Sequence, residues 1–369
     1  MPAKEATPFS LALDRRVEEG ALGTLYEKLP DNQVRCYACA HRCLIKDGLR
    51  GICKVRYNRG GTLMVPCGYV GALQCDPIEK KPFFHAFPGT DAMTFGMLGC
   101  DLHCSYCQNW VTSQALRDPG ALTEPMDVTP GQLVDIAERE GASVVATSYN
   151  EPLITSEWAV EVFKQARPRG FSTAYISNGN ATREVLEFIR PHTDLYKIDL
   201  KSFRDKNYRS LGGKLENIVN GIQMVHEMGF WLEIVTLIIP GFNDSDEELG
   251  DIARFLSGLS PTIPWHVTAF HKDYRMQDPE NTSADTLLRA ARIGEDAGLE
   301  YIYAGNLPGR VGRYEDTRCP GCQATLIRRI GYRILEDRLS GRGNCFSCGR
   351  QIPGVWRSPM TTINATRAY

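Results

Sequence analysis

The sequence predicts an α/β protein built on a parallel sheet, open or curled into a barrel, with a cysteine-rich module on either side. Three observations carry that reading. From about residue 91 to 310, short apolar runs alternate with amphipathic stretches, the pattern of repeated strand–helix units. The thirteen cysteines fall into groups rather than scattering. Past Pro308-Gly309 the alternation stops and two C-x2-C pairs appear.

Taken in order, residues 1–30 are polar with a few apolar positions and predict a short helical arm. Residues 31–90 form a cysteine-rich, glycine-rich module of loops and short strands. Its last part, DPIEKKPFFHAFPG, contains Lys80, Lys81 and His85; by position it covers the mouth of a barrel, or it is an ordered linker packed through Phe83 and Phe84. The strands then read AMTFGML (92–98), SVVATSY (143–149), STAYIS (172–177), LYKIDL (195–200), WLEIVTLII (231–239), WHVTAF (265–270) and EYIYAG (300–305). Between them, Trp158, Val162, Phe163 and Ala166 share one helical face. Leu215, Ile218, Val219, Ile222 and Val225 share another, and Gly229 supplies its stop. In such a fold the functional residues belong in loops at the C-terminal ends of strands. Residues 311–369 read as a ribbon domain with two metal-holding knuckles.

Composition narrows the function classes. The chain has 369 residues, a net charge of -2, 43% hydrophobic and 23% charged residues, as an ordinary globular protein does. That charge gives no general attraction to nucleic acid or an anionic membrane. No apolar run reaches the ~18–20 residues of a membrane span. The first twenty residues lack the apolar segment of a signal peptide, so the expected compartment is the cytoplasm. An odd number of cysteines in a reducing compartment points to metal or catalysis, not disulfides.

Cys319, Cys322, Cys345 and Cys348 form two C-x2-C knuckles, the closed four-thiolate arrangement of structural Zn²⁺. Seven arginines and two acids between Arg318 and Arg350 make this ribbon basic: a solvated face, or a surface for RNA or an acidic partner. Cys36, Cys39, Cys43 and Cys53 again suggest a closed site, and both Zn²⁺ and an iron–sulfur cluster accept four cysteines. Cys67 and Cys75 have no such partner and read as small packing groups. The third group, Cys100, Cys104 and Cys107 in GCDLHCSYCQNW, follows a strand and offers three ligands where a closed site needs four. Three ligands leave a coordination position for a reactant.

This C-x3-C-x2-C, with Tyr106 before its last cysteine, resembles the signature of the radical S-adenosylmethionine (SAM) enzymes. The resemblance implies a partial (β/α)6 TIM-like barrel over about residues 91–310. It implies a [4Fe–4S] cluster on the three cysteines, SAM on the fourth iron, and a 5′-deoxyadenosyl radical that abstracts hydrogen from a substrate. Other matches fall at later strand ends. Tyr149-Asn-Glu-Pro152 resembles the family's Gly-Gly-Glu segment, which implies that Asn150 and Glu151 hold the methionine ammonium. A plain alternative for Glu151 is a charge at a helix start. Ser177 and Asn178 stand where the family contacts ribose and methionine. Asp199 and Lys201 resemble the Asp-x-Lys of glycyl-radical activating enzymes, Lys201 suiting the methionine carboxylate. His271 matches a histidine of that subgroup, or is simply a hydrogen-bonded strand-end residue. Tyr106 is expected near the adenine.

Over residues 31–310, CYACAHRC, DPIEKKPFFHAFPG, YNEP, IDLKSF and GNLPG are more similar to the AmmeMemoRadiSam system radical SAM family. That resemblance implies AMMECR1-like and Memo-like partners and a reductant such as flavodoxin or ferredoxin. A small-molecule substrate is the favoured expectation. Radical installation on a protein partner and RNA binding or modification through the ribbon are the alternatives.

Overall fold

A computed structural model describes residues 8–356. Its centre is an eight-stranded sheet in chain order: β1 (Ala72–Pro77), β2 (Asp91–Gly96), β3 (Val144–Thr147), β4 (Ser172–Ser177), β5 (Leu195–Asp199), β6 (Trp231–Ile238), β7 (Trp265–Ala269) and β8 (Ile302–Gly305). β2 to β8 are all parallel, and β1 runs antiparallel to β2 with Ala72 opposite Gly96 and Pro77 opposite Asp91. The seven apolar runs of the sequence are the seven parallel strands, one more than six repeated units supply. Antiparallel β1 is an addition that no alternation announced.

Helices α1 (Pro130–Arg139), α2 (Ser156–Ala166), α3 (Arg183–Ile189), α4 (Leu215–Glu227), α5 (Asp246–Leu259) and α6 (Ala284–Asp296) fill the connections. Their starts are set by side chains that satisfy the first free N–H groups: Thr129 with Gln132 in a capping box, and Thr182, Ser245 and Ser283. Strand residues alternate between two faces. On the outer face Met93, Phe95, Tyr196, Ile198 and Ile234 join Leu133, Phe163, Leu186 and Ile222 of the helices in the main core. The arm is helical at Pro8–Glu18 and buries Leu13 and Val17 in that core.

The inner face is filled differently. Phe83 and Ala86 pack on Ala92, Val144, Ala146, Ala174, Ile176 and Leu195 of β2 to β5. Their neighbour Phe84 packs on Tyr303 of β8 and His266 of β7. One short strap thus touches both halves of the sheet, so the sheet curls around it. The backbone N–H groups of Phe84 and His85 donate to the fully buried Glu233 carboxylate of β6, each at 3.0 Å. Glu233 stands near the start of its strand. The DPIEKKPFFH segment therefore lines the floor, at the strand starts, and does not cover the mouth. Burial of Phe83, Phe84 and Ile78, with a buried acceptor for two backbone donors, explains the placement.

The ribbon completes that floor. Strands β9 (Thr317–Arg318), β10 (Thr325–Ile330) and β11 (Arg333–Asp337) form an antiparallel sheet. Leu326, Ile327 and Ile352 pack with Phe84, Tyr301 and Tyr303. Arg329 is buried, donates to Thr317 Oγ1 and the Phe84 carbonyl, and stacks over the Phe84 ring. His85 donates from Nδ1 to the Pro353 carbonyl at 2.7 Å, and its Nε2 accepts from the Tyr303 hydroxyl. Burial holds that imidazole down at about 4, so it is neutral.

Candidate active site

The cysteine loop leaves β2 at the C-terminal end of the sheet. Asn150 accepts from the Met97 N–H at 3.0 Å, tying this loop to the one after β3. Gly99 turns the chain with a φ of +89°, and a Cβ there would sit 2.8 Å from the Cys53 carbonyl oxygen. Tyr149 holds the left-handed conformation without being glycine, with Thr112 donating to its carbonyl. The N–H of His103 donates to the Leu211 carbonyl and that of Arg275 to the Ser105 carbonyl, closing the loop from two sides.

Cys100, Cys104 and Cys107 end in an apolar pocket of Leu102, Tyr106, Leu211, Ile239 and Phe270. Burial pushes all three thiols up, Cys104 to about 11, with Asp101 adding to the effect at Cys100. A metal takes the place of such protons. Among the described residues, only the ribbon cysteines bring three or more ligand atoms within 4.8 Å of one another. The three loop thiols are set wider than one ion requires. Dry walls and wide spacing fit a four-iron cluster better than a lone zinc. Backbone Leu102 N–H and the Ser113 hydroxyl lie against Cys100 and Cys107 sulfur, at 3.4 and 3.2 Å.

Two sides of this pocket carry opposite charge. Behind Cys100, Asp101 is fully buried and accepts from Asn178 Nδ2 and Asn180 Nδ2, each at 2.7 Å. Glu151 accepts from Ser177 Oγ, Asn178 N–H and Leu153 N–H at 2.7, 2.8 and 3.1 Å. Burial, then the Asp101 charge, pushes the Glu151 carboxyl up to about 8. Neither carboxylate pairs with a cationic side chain among the described residues. Beside Cys104 the balance reverses: Asp199 lies between Lys197 and Lys201. Burial opposes the Lys201 charge, but Asp199 and the Cys104 thiol hold its pKa above the usual range. The Tyr106 hydroxyl is buried with no hydrogen-bond partner among the described residues, a cost of about 1–3 kcal/mol that a ligand atom would remove.

The residues singled out by sequence thus come together, though with altered tasks. Asn150, Glu151, Ser177 and Asn178 form one buried network whose bonds are largely made within the chain. Glu151 caps the turn at Pro152–Thr155 and braces the β4 loop, as the helix-start alternative has it. Asp199 and Lys201 form the opposite wall. Tyr106 lies beneath, edge-on to Phe242. His271 is exposed at the rim, 3.0 Å from Gln108 Nε2. Sequence reasoning missed Asp101, Asn180 and Lys197. Asp101 lies inside the quoted motif, but nothing in its spacing marks it as buried.

A narrow cleft joins the two edges of the sheet and is lined by Lys80, Pro82, Thr268, Gly305, Asn306 and Tyr332. A second cleft, at Arg167, Arg190 and Trp231, lies at strand starts, away from the cysteines. Elsewhere, Cys319–Cys348 and Cys322–Cys345 sulfurs stand 3.5 and 3.6 Å apart, a ready four-cysteine site. Cys67 and Cys75 pack against the core. No helix among the described residues is long and apolar enough to cross a membrane.

The radical SAM superfamily model matches residues 95–256. An uncharacterized protein of Methanocaldococcus jannaschii is 37% identical over 330 residues, 89% of this chain and 97% of that one. The pyruvate formate-lyase-activating enzyme of Clostridium pasteurianum is 25% identical over 205 residues, 52% of this chain and 85% of that one. Among solved structures, a radical SAM methyltransferase from Sphaerobacter thermophilus overlaps with a TM-score of 0.44 at 17% identity, over 60% of this chain and 68% of that one. The matched segment holds the three-cysteine loop, both charged walls and five strand ends, and the chain belongs to the radical SAM superfamily of enzymes.

Proposed function

We propose that the chain cleaves SAM reductively and uses the 5′-deoxyadenosyl radical to abstract hydrogen from a small molecule. Cys100, Cys104 and Cys107 would hold a [4Fe–4S] cluster, which supplies the electron. The observation that carries this is the charge polarity of the pocket. A methionine end is a zwitterion with a cationic sulfonium nearby. Asp101 and Glu151 are buried without a cation; the Glu151 carboxyl, held up at about 8, gives up its proton when a positive group of the ligand arrives to favour the ionised form, and Lys201 suits the ligand's carboxylate. Asn150, Ser177 and Asn178 orient those acids. Tyr106 closes the apolar floor and offers its free hydroxyl to the ligand. His271 and Gln108 sit where substrate enters.

The small-molecule preference rests on access. A protein substrate needs an open side between the strand edges, and here the strap and Tyr332 narrow it to a cleft. The RNA reading loses support from the ribbon itself. Arg329 is buried, Arg350 pairs with Glu300, and Arg338 stacks on Phe346. We read residues 8–30 as the described part of an arm, 31–90 as a metal module, 91–310 as a partial (β/α) barrel and 311–356 as a Zn²⁺ ribbon. Within the superfamily the motif set supports the AmmeMemoRadiSam reading, with AMMECR1-like and Memo-like partners and a flavodoxin or ferredoxin donor.

Anaerobic reconstitution with iron, sulfide, SAM and dithionite tests the proposal. 5′-Deoxyadenosine should form and should vanish in Cys104→Ala. A protein that loads iron and binds SAM without cleaving it would refute the reading.

A further inference from the structure

The structure contains an internal standard for thiol spacing. In the ribbon, paired sulfurs stand 3.5 and 3.6 Å apart. A tetrahedron with Zn–S bonds of about 2.3 Å has sulfur–sulfur edges of about 3.8 Å. Cys36, Cys39, Cys43 and Cys53 differ. No three of their sulfurs lie within 4.8 Å of one another, although the same spacing picks out the ribbon. Yet they converge: Cys36, Cys39 and Cys53 are buried, Cys43 is half-buried, and the other three all act electrostatically on Cys39. Four thiols facing one volume, too widely set for one ion, match the larger tetrahedron of sulfurs around an iron–sulfur cube. The three loop cysteines show the same wide setting.

The surroundings agree. Val34, Ala38, Ile45 and Val55 are buried around the set. The Ile52 N–H donates to Cys43 sulfur at 3.5 Å. The buried Arg56 guanidinium lies in the field of Cys36 and Cys53, offsetting the negative charge of thiolates. The location is also specific. The Ala40 N–H donates to the Asn180 carbonyl at 2.9 Å, Asn180 donates to Asp101, and Asp101 adjoins Cys100. The Cys53 carbonyl packs on Gly99. On its other side Cys43 lies beside exposed Leu44 and Ile52.

We propose that Cys36, Cys39, Cys43 and Cys53 bind a second cluster of the four-iron class, and not zinc, between solvent and the Cys100 loop. There it takes one electron from a low-potential donor protein and passes that electron inward, with no bond formed and no proton moved. The cluster stands independently of the proposed activity; the relay rests on it.

The test uses the full chain, reconstituted anaerobically with iron and sulfide. A Cys100→Ala, Cys104→Ala, Cys107→Ala variant should keep about four irons and four sulfides with about one zinc, and show the Mössbauer signature of a cube. Two zincs and no iron would overturn the proposal. If that variant does not fold, the wild-type protein decides, with about eight irons expected and about four overturning it. Because the variant has no SAM site, its result is separate from any failure of SAM cleavage. For the relay, Cys39→Ser with Cys43→Ser should lower the flavodoxin-to-dithionite ratio of reduction rates at the remaining cluster, read by EPR, by an order of magnitude. An unchanged ratio would overturn the relay.

Discussion

The Arg56–Glu157 pair is a sharp place to perturb the molecule, because it ties the N-terminal cysteine module to α2. Arg56 donates to Glu157 Oε2 and Oε1 at 2.8 and 2.7 Å and to the Ile154 carbonyl at 3.0 Å. Its side chain is 1% exposed and that of Glu157 11%. Arg56→Met leaves a buried carboxylate without its cation, which costs about 3–5 kcal/mol. That is a large share of a typical stability of about 5–15 kcal/mol. Arg56→Met with Glu157→Met removes both charges, so the double variant should lose much less than the sum of the singles. Urea unfolding of the metal-loaded chain reads this directly. Two additive losses below about 1 kcal/mol each would show a pair screened like a surface contact, and would refute the reasoning. A pH arm adds a check of sign. Burial pushes the Glu157 carboxyl up, but Arg56 outweighs it and holds it below its ordinary value of 4.5. A depressed carboxylate contributes stability above its unfolded pKa and loses it as pH falls through the folded one. Wild-type stability should therefore drop below about pH 4.5, and Arg56→Met should remove that part of the acid slope.

Other perturbations address the site and the ribbon. Lys201→Met should weaken SAM binding by about ten- to a hundredfold, the loss of one charge-assisted bond of about 1.5–3 kcal/mol, measured by anaerobic equilibrium dialysis; Lys197 still neutralises Asp199 there. Gly99→Ala should cost about 1–3 kcal/mol, from its left-handed φ and the Cys53 carbonyl in its way. Thermal melts and iron content of the purified protein check it. Cys345→Ala should remove about one zinc per chain and open residues 317–356 to limited proteolysis while strands β2 to β5 stay protected.

Much of this fold is legible in the chain itself. Seven apolar runs, bounded by glycine and proline, correspond to the parallel strands because both faces of such strands are covered. The three-cysteine loop was visible from spacing alone. β1 was not: ALQCDP is half-buried along most of its length, so it shows neither alternation nor an apolar run. The strap packs through Phe83 and Phe84, one of its two readings, and lies at the floor and not at the mouth because its position depends on Glu233, which is remote in sequence and accepts its N–H groups from inside the sheet. Glu151 was legible as a charge at a helix start, but its partners Ser177 and Asn178 come from the next strand end, and no local pattern reports such a bond. The distinction between narrow and wide thiol sets is invisible in a sequence. C-x2-C spacing fixes neighbours along the chain, and only folding fixes how far apart four sulfurs stop.

The floor of the sheet has a consequence for biosynthesis. Arg329 and Pro353 bond the strap at Phe84 and His85, so the strap waits for residues made 245 and 268 positions later. A nascent chain can build β1 to β8 and the cysteine loop, but it cannot seal the underside of the sheet until the ribbon has left the ribosome and folded against it. An interrupted chain leaves Phe84, Tyr301 and Tyr303 uncovered, the kind of exposed apolar surface by which chaperones and proteases recognise unfinished proteins. The ribbon thus couples the filling of its four-cysteine site to completion of the fold before the radical site is ever used.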